Sequence, residues 1–94
     1  MSMSTGSLPR RHQRTLAEIF AEPTPADVRW DDIRSLFGAL KADCSEGRGS
    51  RLRVALGDRK AVFHKPHPRK EASKSLVRSV RRFLEEAGIG PEGR

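Results

Sequence analysis

Apolar positions along the chain change their period twice, and those changes mark out helices and strands. Leu16, Ile19 and Phe20 fall at i, i+3 and i+4. Thr15 and Glu18 form a capping box ahead of them, which predicts a short helix from Leu16 to about Glu22, halted by Pro23 and Pro25. Ile33, Leu36, Phe37 and Leu40 predict a second helix that opens after Trp30 and ends near Ala42, with Asp31 as N-cap and Asp32 in the first turn. Gly38 interrupts this pattern, a position expected where another element approaches closely.

Beyond a predicted edge strand at Asp43 to Glu46 and a turn or bulge at Gly47-Arg48-Gly49, the period falls to two. Leu52, Val54 and Leu56 alternate with Arg51, Arg53 and Ala55 over a strand from Ser50 to Leu56. Gly57-Asp58 is a two-residue hairpin signal, and Arg59 to His64 is the return strand. Closing the turn on those two residues sets Leu56 opposite Arg59, Val54 opposite Ala61, Leu52 opposite Phe63 and Arg51 opposite His64. Leu52, Val54, Ala61 and Phe63 then share the buried face, while Arg51, Arg53, Val62 and His64 share the other. A last helix is expected from about Ser73 to Ala87, capped by Gly88. Leu76, Val77, Val80, Phe83, Leu84 and Ala87 point inward from it, with Lys74, Arg78, Arg81 and Arg82 in solvent.

This order predicts an α+β fold, a small three-stranded antiparallel sheet with two helices on one face, preceded by a short N-terminal helix. With 94 residues there is room for one core. The expected organisation is a disordered basic tail at 1–14, the N-terminal helix and a Pro-rich linker at 15–28, and the main domain at 29–90. Nothing resembles a secretory signal, and no apolar run nears the ~18 residues of a membrane span, so cytoplasm and no membrane are expected. The single cysteine, Cys44, has no partner for a disulfide or zinc site.

Lys and Arg number 19 against 12 Asp and Glu, leaving a net charge of +7 and directing attention to polyanionic partners, nucleic acid first. An acidic protein partner fits the same charge. Candidate chemistry centres on Phe63-His64-Lys65-Pro66-His67-Pro68, because histidine can take and give a proton near neutral pH. RNA supplies its own nucleophile in the 2′-hydroxyl, so cleavage needs a base, a cation for the phosphorane and an acid for the leaving oxygen. His64 is the candidate proton acceptor, Arg51 a bidentate phosphate ligand and His67 an auxiliary group. Arg48, Gly49, Ser50, Arg53, Lys60 and Lys65 are the candidate RNA or phosphate contacts, with Gly47-Arg48-Gly49-Ser50 able to cradle a phosphate through its backbone although it is no P-loop. Commonplace roles compete with these: a histidine at a strand end before proline caps or packs, Ser50 belongs to a turn, and Cys44 is a small hydrophobe. No cofactor or metal is called for.

Several of these segments together resemble the HicA family of toxins: Trp30-Asp31-Asp32-Ile33 with Leu36-Phe37, Gly49-Ser50 entering a strand, Phe63-His64-Lys65-Pro66-His67-Pro68, and the closing Phe83-Leu84-Glu85-Glu86-Ala87-Gly88-Ile89. The likeness runs from about Arg14 to Ile89. It implies a fold like the double-stranded-RNA-binding domain (α-β-β-β-α), an mRNA interferase acting without metal, and neutralisation by an acidic HicB-like antitoxin. The family commonly places its catalytic histidine directly after Gly-Ser, where this chain has Arg51. Either His64 has taken over proton transfer, or the chain is a noncatalytic module that binds RNA or antitoxin. A purely structural interaction protein is the third class.

Overall fold

The computed structural model describes residues 8–66 and 71–93. Three helices and three strands follow one another as α1 (Arg10–Ile19), α2 (Trp30–Ala39), β1 (Asp43–Glu46), β2 (Arg51–Leu56), β3 (Arg59–His64) and α3 (Lys74–Glu86). The strands form one antiparallel sheet in the order β1-β2-β3. The β2–β3 register is the one expected, from Leu56 opposite Arg59 to Arg51 opposite His64. Gly57 adopts the left-handed φ of 63° that a tight hairpin turn requires.

Sequence alternation carries straight through to burial. Leu52, Val54 and Phe63 are buried on one face of the sheet, and the helices cover them. Three phenylalanines tie the layers together: Phe37 of α2 stacks on Phe63 of β3 with centroids 5.8 Å apart, and Phe83 of α3 meets both edge-on. Such contacts add roughly 0.5–1.5 kcal/mol each beyond the area they bury. Ahead of α2 and α3, the chain is clipped to itself by Ala72 N–H donating to the Val28 carbonyl at 2.7 Å.

The first helix departs from expectation. It starts at Arg10, so the stretch 10–14 read as tail is helical; residues 1–7 lie outside the described set. Pro9 precedes it, its carbonyl accepting from the amides of His12 and Gln13. Thr15 is therefore no N-cap. It lies mid-helix, and its hydroxyl donates back to the Arg11 carbonyl at 3.1 Å. The buried stripe is His12, Thr15, Leu16 and Ile19, spaced i, i+3, i+4, i+7, and two polar members hide it from a hydrophobicity pattern. Leu16 and Ile19 are part of the same core as α2 and α3.

Two further boundaries shift. Arg29, not Asp31, is the N-cap of α2, which places the Trp30 side chain in the core. Its end comes at Ala39 because Lys41 turns left-handed at φ 68°, with Lys41 N–H bonding the Gly38 carbonyl and Ala42 N–H the Phe37 carbonyl. Open space surrounds the Cβ position of Gly38, so no close approach accounts for that glycine. By contrast α3 begins and ends as read: the Ser73 side chain accepts from Leu76 N–H at 3.1 Å, and Gly88 terminates it at φ 86°.

Arg81 corrects the sequence reading most sharply. Expected in solvent, its side chain is only 16% exposed. Nε donates to the Ile19 carbonyl at 2.8 Å, and Nη2 to the Ala21 carbonyl at 2.9 Å and Thr24 Oγ1 at 3.3 Å. Nη1 meets Glu22 Oε2 at 2.6 Å. A cation thus satisfies the free carbonyls where α1 ends, the end of the helix dipole that attracts positive charge.

Candidate nucleic-acid interface

With helices on one side, the other side of the sheet is left to solvent, and strand parity decides what it displays. β2 contributes Arg51 and Arg53, and β3 contributes Lys60, Val62 and His64. Ser45 of β1 lies opposite Arg53. All six are exposed, Val62 by 54% although it is a large hydrophobe. Arg51 and His64 are direct cross-strand partners on that face. The imidazole does not turn inward among the aliphatic residues. Counting from the turn, theirs is a pair that exchanges no ladder hydrogen bonds, the type with Cα atoms only ~4.5 Å apart and the closer side chains.

The loop before β2 builds the near end of this surface. Gly49 holds φ 64°, a conformation costly for any side-chain-bearing residue, and lets Arg51 N–H bond the Arg48 carbonyl at 3.3 Å. Gly47 N–H bonds the Arg51 carbonyl at 2.9 Å. A Cβ on Gly47 would stand 3.3 Å from the Arg51 Cβ and 3.9 Å from the Arg53 guanidinium carbon. The sequence places this glycine only as part of a turn, yet it leaves the Arg51 Cβ room that a side chain would crowd, while the Arg53 guanidinium would meet only ordinary contact. Ser50 accepts Lys65 N–H at 2.7 Å, extending the ribbon one pair beyond the strands.

Of the expected contact residues, Arg48, Ser50, Arg53 and Lys60 are exposed, and Gly49 offers backbone in the turn. No hydrogen bond or ion pair within the described residues occupies the side chain of Arg48, Arg51, Arg53 or Lys60. Lys65 differs. Its Nζ is 2.8 Å from Glu46 Oε1, and the hydrogen bond and charge it supplies hold the Glu46 carboxyl below its ordinary range. His67 lies outside the described residues. Cys44 faces the core side, half-buried opposite Val54, and burial pushes its thiol up, which disfavours the nucleophilic thiolate. Among the described residues no three His, Cys, Asp or Glu side chains gather closely enough to hold a metal ion, and no helix is long and apolar enough to cross a membrane.

Chemically, the face offers two guanidinium forks able to clasp phosphate bidentately, an ammonium beside them and one accessible imidazole for proton transfer. A family model described as HicA toxin of bacterial toxin-antitoxin matches residues 30–89, from the start of α2 to just past α3, and leaves α1 outside the match. No curated protein and no solved structure matches the chain.

Proposed function

The chain belongs to the HicA toxin family, the toxin side of a toxin–antitoxin system, and from that premise we propose that it cleaves mRNA through the ribose 2′-hydroxyl. His64 takes the 2′-hydroxyl proton, and the freed oxygen attacks the adjacent phosphorus. The bond from phosphorus to the 5′ oxygen breaks, leaving a 2′,3′-cyclic phosphate and a 5′-hydroxyl once the leaving oxygen has gained a proton. Arg51 holds the phosphorane as its charge develops, and Arg53 holds the neighbouring backbone. Arg48, Lys60, Lys65 and the turn at Gly49-Ser50 steer and position the strand electrostatically. On sequence alone His67 has the auxiliary role. The expected partner in the cell is an acidic HicB-like antitoxin, complementary to the +7 charge of this chain, and the expected compartment is the cytoplasm.

The observation that carries this reading is the register: the two groups needed for proton removal and phosphate binding are cross-strand neighbours on the solvent face. The decisive variant is His64→Ala. RNA cleavage should fall by about 10²–10⁴-fold, the usual contribution of a positioned general base, while circular dichroism shows an unchanged fold. Undiminished production of cyclic-phosphate ends would remove His64 from the mechanism. A second reading draws on Arg51 itself, which follows Gly49-Ser50 where the family resemblance implies histidine. That reading is a noncatalytic RNA-binding or antitoxin-binding module, and it expects salt-sensitive RNA retention with no new ends from the wild-type chain.

A further inference from the structure

The strand β3 is an outer strand of the sheet, and the hairpin fixes which of its peptide groups are free. Residues flanking a two-residue turn exchange both ladder hydrogen bonds, and bonded pairs then alternate with unbonded ones. Leu56 with Arg59, Val54 with Ala61 and Leu52 with Phe63 are therefore bonded, whereas Ala55 with Lys60, Arg53 with Val62 and Arg51 with His64 are not. The Lys65 N–H bond to Ser50 keeps this phase one step further. It follows that the amides and carbonyls of Lys60, Val62 and His64 point away from the sheet. No other backbone bond reaches them among the described residues.

Beside this edge runs a groove of about 1060 Å³ between β3 and α3. Leu76 and Phe83 line its apolar part, and Arg78 and Arg82 rise from the helix opposite Lys60 and His64 of the strand. Glu71 and Glu86 also border it, so the basic groups outnumber the acidic ones. A second copy of the chain is a poor occupant. Two β3 edges paired antiparallel about Val62 would set Lys60 against His64 of the copy and bring both arginine rows together, the opposition of like charge that disfavours strand pairing.

We propose that this edge accepts an acidic, extended segment of the partner antitoxin as a fourth strand. The inference rests on the toxin–antitoxin partnership in the proposed function, and not on RNA cleavage. Backbone bonds to Lys60, Val62 and His64 fix the register, and alternation fixes the chemistry. On the solvent face the added strand reads acidic, apolar, acidic, against Lys60, Val62 and His64. Its intervening side chains point into the groove over Leu76, within reach of Arg78 and Arg82. The exposed Val62 thereby acquires a covering neighbour, and the strand lies along the flank of the Arg51–His64 pair.

The test uses the full chain, isotope-labelled, and a synthetic peptide alternating Glu and Val over roughly nine residues, a length typical of strands. Binding should slow amide exchange at Lys60, Val62 and His64 and leave Ala61 and Phe63, already bonded to β2, unchanged. Val62→Pro removes an outward amide without touching the β2 ladder and should weaken binding about tenfold. If that variant fails to fold, Arg78→Glu with Arg82→Glu, both on the exposed side of α3, should weaken the Glu peptide and favour its Lys counterpart. Unchanged exchange along β3, equal affinity for the Lys-Val peptide, or edge protection that appears with chain concentration or with an RNA oligomer instead would overturn the proposal. Failure of the cleavage reading is seen separately, as wild-type chain without peptide leaving RNA ends unchanged.

Discussion

Arg81 and Arg51 carry the same guanidinium and meet opposite fates. At the corner where α3 crosses the end of α1, Arg81 donates to two carbonyls, a hydroxyl and a carboxylate. On the β2–β3 ribbon, Arg51 extends from a strand whose backbone ladder already holds it in place, and its guanidinium has no protein acceptor among the described residues. The first arginine satisfies groups that would otherwise be unpaired at a helix end, so its charge serves the fold. The second is held by peptide bonds alone, so its charge is available to something outside the chain. Net charge counts both equally. What separates them is whether local backbone geometry leaves acceptors that only a side chain can reach.

The largest effect expected from this contrast is on activity. Arg51→Ala should lower the rate of RNA cleavage by at least about 100-fold, the usual effect of deleting a group that stabilises developing charge. Urea unfolding should shift by no more than about 0.5 kcal/mol, as for an exposed position with no partner. Arg51→Lys should recover only part of the rate, since a point charge replaces a planar fork. A large loss of stability in Arg51→Ala would break the contrast by showing that the ribbon arginine also serves the fold.

Arg81→Ala tests the other side and should cost about 2–3 kcal/mol in urea unfolding, through lost hydrogen bonds and carbonyls left in a half-buried corner. Cleavage per folded molecule should stay the same. Amides of α1 should exchange faster while those of the sheet do not, because the helix loses the clip at its C-terminal end. Activity lost in step with Arg51→Ala would mean that α1 reaches the RNA face.

The same contrast explains what could be read from the sequence. The hairpin was legible to the residue because period-two alternation, a Gly-Asp turn and a buried face all impose one register. α3 was legible because Ser73, an apolar stripe and Gly88 agree with one another. Local signals therefore placed Arg51 opposite His64. They did not reveal Arg81, whose acceptors lie 57 to 62 residues earlier in the chain and include bare carbonyls that no residue type advertises. The start of α1 was hidden for a related reason, since His12 and Thr15 occupy buried positions of its stripe where a hydrophobicity pattern expects apolar residues. Clearance at Gly47 is equally silent, because a glycine that makes room resembles a glycine that turns.

Lys65 stands between the two arginines, and the smallest expected effect decides which it resembles. Its ammonium pairs with Glu46, yet that pair is open to solvent, with side chains 33% and 57% exposed. Surface pairs of this kind add little to stability, so Glu46→Gln should leave the urea midpoint at neutral pH almost where it was. The proton tells more. Because the Lys65 hydrogen bond, and then its charge, lower the Glu46 pKa in the folded chain, the small stabilisation is present above the ordinary carboxylate range and is lost as pH falls through the lowered value. A carboxyl-resolved NMR titration should find Glu46 titrating below the ordinary glutamate value, and Lys65→Met should raise it again. With the carboxylate gone, Lys65 is free for phosphate, and RNA retention at low salt should rise by roughly twofold in Glu46→Gln, an advantage that fades as salt screens it. Unchanged retention at every salt concentration would place Lys65 with Arg81, a cation used up by the fold. A rise at low salt places it with Arg51, a cation that the fold leaves available to nucleic acid.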